Sequence, residues 1–267
     1  MIRTIRIPQR DFSQVRTQLN SVGWFLPPYV NVGFIEMSLR MQGVPGSGPF
    51  TLNDLEQMLD HLYGPAHLAS MVLHRYPNVP IVSLYAGTIS EATWAHFLGL
   101  HHIAVGGLTP VIEGIGRRLA AAQGHQFGPR ARIKGVFEAI ASHAKEDVIR
   151  RSIGATSEIR EMLDSFSCFI ESYFYTDTTR YPLADHTNRH GMLHGAYMDT
   201  EYGRPLNFFK TIAAVDFLTF LSSLMTSNMS GFSPDRTVES EALATRYVSA
   251  EGFCAMPDPK PEHNPVI

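Results

Sequence analysis

The most reactive combination of side chains in the sequence lies in one short segment, residues 186–194. His186, His190 and His194 are spaced by four, and positions four apart differ by only about 40° around a helix. Arg189 lies about 140° from His194 on an ideal helix, yet its long side chain can reach a ligand shared with the imidazoles near the helix start. A helix over this segment would therefore present imidazoles and a guanidinium together.

These residue types suit the cleavage of a phosphodiester without a metal ion. Breaking RNA in this way needs a base for the 2′-hydroxyl proton and a cation that holds the phosphate as charge develops on it. Histidine suits the first role because its unperturbed pKa lies near neutrality. Arginine suits the second because its planar fork matches two phosphate oxygens, and a nearby helix N-terminus would add positive potential.

Two other interpretations of the histidines stay open. A His-x3-His pair on one helix face has the geometry of a zinc site, so the row His186, His190 and His194 is consistent with a metal-dependent hydrolase. A third ligand from the same helix is hard to aim at one ion, and the sequence indicates no distant Asp or Glu to replace it. In a purely structural role, the imidazoles would cap a helical bundle and bond to backbone carbonyls.

The elements that must position these residues are predicted to be helices. Thr51 can cap a helix, residues 136–150 form an amphipathic pattern, and residues 157–175 follow the 3.6-residue period most clearly. Residues 206–225 are apolar nearly all round, which predicts the central helix of a bundle. Asp185 can cap a helix of about ten residues that holds the reactive segment.

A further helical stretch precedes these elements. Thr88 and Glu91 have the spacing of a capping box, which predicts a helix start at this point. The pair Gly106-Gly107 either breaks that helix or allows close packing. Thr109-Pro110 predicts a restart, and the helix would then continue to Gln123.

The predicted organisation is therefore all-α, with a helical bundle over residues 51–228. Residues 1–50 would form a small mixed element, with a short strand over residues 2–7 and a short helix over residues 12–22. Residues 229–267 are rich in Ser, Pro, Gly and Asp near their start and in Pro at their end, and predict an irregular tail.

Composition limits the classes of function. The 267 residues are 44% hydrophobic and 18% charged, with a net charge of −3, so a coat for long nucleic acid is not expected. Two cysteines exclude a disulfide framework. The polar start lacks a signal peptide, and the most apolar segment, residues 211–225, is shorter than the ~20 residues of a membrane span. A cytoplasmic protein without membrane contact is expected by elimination.

The reactive segment also resembles a known signature. Arg189, His190 and His194 fit the R-x4–6-H motif of HEPN domains, with a polar residue after the arginine. The string NRHGMLHG over residues 188–195 is similar to the NRHxxLHG block of many bacterial HEPN-like proteins. Tyr202-Gly203, the apolar helix after it and an acidic helix around Glu113 extend the resemblance, which covers residues 85–227.

The resemblance implies a HEPN-like bundle that forms a homodimer with two motifs facing each other, and metal-independent endoribonuclease activity that leaves a 2′,3′-cyclic phosphate. It implies that His194 is the base or proton donor, Arg189 the phosphate ligand, His190 a polar helper, and Glu113 a residue that orients one of them. RNA would be the substrate, with no metal or cofactor, in a defence or toxin-like system with a protein partner or antitoxin. The alternative is a non-catalytic HEPN-like module that binds nucleotide, RNA or a protein.

Overall fold

The computed structural model describes residues 12–42, 48–128, 131–226 and 232–254, and within these ranges the fold is all-α, as predicted, with no strand. None of the helices in these ranges is both long and apolar enough to cross a membrane. The α-helices, in chain order, are α1 (Ser13–Ser21), α2 (Val32–Gln42), α3 (Leu52–Leu62), α4 (Pro65–Ser70), α5 (Ala86–Phe97), α6 (His101–Ala122), α7 (Ile133–Arg151), α8 (Thr156–Phe169), α9 (Arg189–Leu193), α10 (Pro205–Leu224) and α11 (Val238–Cys254).

The centre of the bundle is α10, which confirms the prediction for this apolar segment. Every residue from 206 to 224 is buried, and the helix packs against α6 and α3. Its buried face includes two charged side chains, Lys210 and Asp216. Since a buried charge needs a partner, both positions are expected to fix specific contacts within the core.

The long helix α6 differs from its prediction. It runs without interruption through Gly106-Gly107 and Pro110. Of the two alternatives at Gly106-Gly107, the break is therefore wrong, and so is the restart at Thr109-Pro110. The chain turns earlier, at Gly99, whose φ of +69° lies in the left-handed region that glycine adopts without strain. The predicted capping box at Thr88 is also wrong, because α5 already begins at Ala86.

The helices α7 and α8 form a pair beside α6. Helix α8 continues into a π-helical turn, Ile170–Phe174, so the predicted helix over residues 157–175 is confirmed with a change of pitch near its end. Helix α7 confirms the pattern over residues 136–150 and begins three residues earlier. Helix α3 starts at the predicted cap, where Thr51 and Asp54 form a capping box.

The N-terminal segment belongs to the same hydrophobic core. Helix α1 confirms the predicted short helix and packs on α8, and the side chains of Trp24, Phe25 and Leu26 are buried. The strand predicted over residues 2–7 lies outside the described residues.

The prediction of an irregular C-terminal tail is wrong over α11. This helix packs on α4 and α5, and Tyr247 contacts Trp94 and Phe97 with ring centroids 4.7 Å and 4.4 Å away. Its buried face otherwise consists of Ser240, Ala244 and Ala250. Such small side chains give a weak hydrophobic period, which is why the sequence pattern did not indicate a helix.

Candidate active site

The reactive segment forms a shorter helix than predicted. Helix α9 spans only Arg189–Leu193, and its N-cap is Asn188 rather than Asp185. The Asn188 side chain accepts a hydrogen bond from the Gly191 N–H at 2.9 Å. Its amide nitrogen donates to the carbonyl oxygens of Tyr173 and Thr176, at 3.0 Å and 2.9 Å. One buried amide thus caps α9 and fastens it to the end of the α8 segment.

Asp185 instead anchors the segment in the core. Its carboxylate accepts hydrogen bonds from Lys210 Nζ at 2.7 Å, Tyr181 Oη at 2.8 Å and Thr187 Oγ1 at 2.6 Å. Burial by itself would raise the pKa of Asp185, but the Lys210 ammonium and these hydrogen bonds outweigh it and lower that pKa below its ordinary value. Asn207 closes the network by donating to the Asp185 carbonyl at 2.6 Å.

The predicted row of three histidines is not formed. His186 lies before α9 with a φ of +53°, and its Nδ1 lies 3.1 Å from the carbonyl oxygen of Glu201. Its ring packs on Tyr197, with centroids 4.7 Å apart. Within the described ranges, no group of three or more His, Cys, Asp or Glu side chains is placed to hold a metal ion. The described residues therefore do not gather His186, His190 and His194 around one ion.

The other predicted residues converge on one guanidinium. Arg189 Nε donates to Glu113 Oε1 at 2.6 Å, and Arg189 Nη1 lies 3.0 Å from His194 Nε2 and 3.4 Å from His190 Nδ1. A guanidinium can only donate, so these two ring nitrogens must act as acceptors. Each of these hydrogen bonds therefore requires a ring-nitrogen lone pair that is directed at Arg189.

The cluster lies at the surface but is not fully solvated. The side chains of Arg189 and Glu113 are each 20% exposed, and His194, the C-cap of α9, is exposed. The rings of His190 and His194 stack with an interplanar angle of 14°. Partial burial, followed by the neighbouring guanidinium, lowers the pKa of His190 below its ordinary value of 6.5. A neutral imidazole at neutral pH is the form that can accept a proton.

Glu113 comes to the site from α6, 76 positions earlier in the chain. The next residue, Gly114, packs against Tyr85, and a Cβ built on that glycine would lie 2.3 Å from the Tyr85 hydroxyl oxygen. The absence of a side chain at Gly114 thus lets this part of α6 approach Tyr85, next to the carboxylate that holds Arg189.

Tyr175 lies beneath the cluster and was not predicted to belong to it. Its ring contacts His190 edge-on, with centroids 6.5 Å apart. Burial, and next the charge of Glu113, raise the pKa of Tyr175 well above its ordinary value. Its hydroxyl is buried and has no hydrogen-bond partner among the described residues. The sequence indicated only a core aromatic at this position, and no local signal distinguishes it from its aromatic neighbours.

A pocket of about 730 Å³ opens beside the cluster, and His190 and Tyr175 form part of its wall. The rest of the wall comes from the start of α7 and from the turn after α8: Arg132, Ile133, Lys134, Asp177, Thr178 and Thr179. These two segments are more than 40 positions apart in the chain, and no local sequence pattern associates either of them with the site.

Comparison of the chain with protein-family models, with curated proteins and with solved structures gives no match. The assignment of chemistry to this site therefore depends on its own geometry and on the motif residues.

Proposed function

We propose that this chain is a metal-independent endoribonuclease of the HEPN type. The observation that carries the proposal is the contact of one guanidinium with two imidazoles at a partly exposed surface. The motif residues Arg189, His190 and His194, which suggested this chemistry in the sequence, are the residues that meet there. The proposal would have failed if Arg189 and His194 had been enclosed by packing or had pointed to opposite sides.

In the proposed reaction, His194 Nε2 takes the proton of the 2′-hydroxyl, and the 2′-oxygen attacks the adjacent phosphorus. The bond from phosphorus to the 5′-oxygen breaks, and the imidazolium returns the proton to that oxygen. The products are a 2′,3′-cyclic phosphate and a 5′-hydroxyl, so atoms and charge balance. Arg189 stabilises the charge that builds on the phosphate, and its Nη2 has no partner among the described residues.

Glu113 would hold Arg189 in place during this reaction. Its carboxylate receives Nε, which leaves the Nη atoms directed toward the imidazoles and the surface. When a phosphate docks, the contact between Nη1 and His194 Nε2 would be exchanged for a phosphate oxygen. That exchange would free the His194 lone pair for the 2′-hydroxyl proton.

The proposal includes a homodimer and a role in a defence or toxin-like system. Leu193 and Met198, which are 41% and 68% exposed, flank the site and would become buried in a homodimer in which two motifs face each other. The expected substrate is RNA in the cytoplasm, and a protein partner such as an antitoxin would restrain the activity in a defence or toxin-like system.

The test is RNA cleavage by the purified chain in the presence of EDTA. We expect cleavage by the wild type and its loss in His194→Ala and Arg189→Ala, each with an unchanged thermal unfolding transition. Arg40→Ala is a matched control, because the Arg40 side chain is 82% exposed on α2. Equal cleavage by wild type and His194→Ala, purified identically, would contradict the role proposed for His194.

A non-catalytic module that binds nucleotide or RNA is the second candidate function. The observation in its favour is the 2.6 Å contact that already engages Arg189 with Glu113, since a guanidinium held in this way can bind a phosphate without promoting cleavage. This candidate predicts RNA binding that survives His194→Ala and no cleavage by the wild type.

A further inference from the structure

The pocket beside the cluster has the features of an anion site. Two cations, Arg132 and Lys134, and two hydroxyl side chains, Thr178 and Thr179, form its wall together with His190. The Lys134 ammonium donates to the Glu171 carbonyl at 2.7 Å, and this neutral acceptor leaves its charge uncompensated.

The start of α7 adds to this positive potential. Arg132 is the N-cap, its side chain makes no capping hydrogen bond, and the first turn contains no acidic residue. The first N–H groups of a helix have no partner within it and favour an anion. A Cβ built on Gly135 would meet nothing within 4 Å, so the space beside this turn is open.

Tyr175 places this pocket directly beside the proposed reaction centre. Tyr175 is 2% exposed and its side chain forms part of the pocket wall, yet its hydroxyl has no partner among the described residues. Buried hydroxyl groups are nearly always hydrogen-bonded, to protein, water or ligand. The charges that act on this hydroxyl are those of Glu113, Arg189 and Arg117, so Tyr175 connects the pocket wall with the Arg189 cluster.

The acidic residue of the pocket wall is already engaged. Asp177 Oδ1 accepts hydrogen bonds from the Thr179 N–H at 2.9 Å and from the Thr179 hydroxyl at 2.6 Å. These contacts lower the pKa of Asp177 below its ordinary value. Its carboxylate thus shapes the turn 178–180, and the charges of Arg180 and His190 lower its pKa further.

We propose that this pocket binds one nucleotide of single-stranded RNA next to the scissile phosphate, with the phosphate of that nucleotide held by Arg132, Lys134 and the start of α7. The role as a substrate subsite rests on the proposed function. A volume of about 730 Å³ falls in the range of small-ligand sites. It admits a single splayed nucleotide but not a paired helix, and unpaired nucleotides are the usual targets of specific RNA recognition.

The test is the binding of a short 2′-O-methyl RNA oligonucleotide, which lacks the attacking hydroxyl, measured by fluorescence anisotropy over a range of salt concentrations. We expect Arg132→Ala combined with Lys134→Ala to weaken binding by at least about tenfold. The slope of log K against log salt should fall by about 0.7 to 1.4, for one or two phosphates no longer neutralised. Arg40→Ala should leave both quantities unchanged.

The outcomes separate this inference from the proposed function. Cleavage by the wild type, with oligonucleotide affinity and salt slope unchanged in the double variant, would overturn the subsite and leave the nuclease intact. Binding that depends on Arg132 and Lys134 without any cleavage would support the nucleotide pocket and overturn the nuclease. A wild type that does not bind the oligonucleotide would overturn the subsite. Circular dichroism of the double variant checks that α7 remains folded.

Discussion

Asp185 and Arg189 lie four positions apart, and each forms an ion pair with a helix residue elsewhere in the chain, but the two pairs differ in their exposure to solvent. Asp185 and Lys210 are 1% and 0% exposed, and three donors satisfy the carboxylate. Glu113 and Arg189 are each 20% exposed, and the guanidinium also contacts two imidazoles. The first pair is enclosed and fully partnered, whereas the second still has hydrogen-bonding groups directed at solvent.

The difference in exposure assigns different roles to the two pairs: Asp185 and Lys210 hold the segment in the fold, and Glu113 and Arg189 can contact a substrate. A buried, satisfied pair has no capacity left for a substrate, but it fixes the direction in which the chain leaves residue 185. Asn188 then caps α9 and sets its orientation. The partly exposed pair, Arg189 and Glu113, depends on that orientation of α9. Its donors and acceptors lie where a phosphate can reach them. We therefore expect substitutions at the first pair to affect folding and substitutions at the second to affect catalysis.

The largest expected effect is on folding, from Asp185→Ala. This change leaves the Lys210 ammonium buried without its carboxylate, and an uncompensated buried charge costs about 3–5 kcal/mol of unfolding free energy. Urea denaturation measures this loss. Glu113→Ala is the matched carboxylate control, and we expect it to cost less than about 1 kcal/mol because its pair is partly solvated. Equal losses would remove the distinction between the two pairs.

Arg189→Ala should lower the rate of RNA cleavage and leave stability nearly unchanged. We expect RNA cleavage to fall by about 10²–10³-fold, the usual effect of removing one group that stabilises transition-state charge. The unfolding free energy should change by less than about 1 kcal/mol. Initial rates at saturating RNA, together with a denaturation curve of the same sample, test both quantities. If the unfolding free energy falls enough to explain the slower cleavage, Arg189 has a structural role like that of Asp185 and Lys210.

Asn188→Ala should have an intermediate effect on stability, with a smaller effect on cleavage than Arg189→Ala. The substitution removes the cap of α9 and two further hydrogen bonds to the α8 segment, and loss of such a cap costs about 1–2 kcal/mol. Asn188→Asp is the informative partner, because it keeps the acceptor for the Gly191 N–H but loses the amide donor. A variant that retains full stability would show that the amide does not hold the segment.

The smallest expected effect is a change in titration at His190. Burial and then Arg189 lower the pKa of its imidazole, so Arg189→Gln should raise that pKa, while Arg40→Gln should not. NMR titration of the ring protons measures it. Because the unfolded chain takes up this proton first, the contribution of His190 to stability is lost as the pH falls below 6.5. A His190 pKa above 6.5 in the wild type would contradict the geometry.

Local patterns could be predicted from the sequence, and contacts between distant segments could not. The hydrophobic period of α8 and the apolar composition of α10 are properties of single helices, and the spacing of Arg189, His190 and His194 indicated a shared site. These three side chains do meet, but not on the helix of about ten residues that was predicted. Helix α9 is short, and His186 lies outside it. The pairing of Asp185 with Lys210 joins positions 25 apart through side chains that also suit a helix cap and a surface cation, so no local signal distinguishes their buried roles.

The most direct test of the central claim uses a DNA oligonucleotide that contains a single ribonucleotide, incubated with the chain in EDTA. If Arg189 and His194 promote attack by a 2′-hydroxyl, the wild type cuts only after that ribonucleotide. Mass spectrometry of the fragments should then find a 2′,3′-cyclic phosphate and a 5′-hydroxyl, and His194→Ala should give neither. Cleavage at deoxyribonucleotides, or products that His194→Ala forms equally well, would contradict the account.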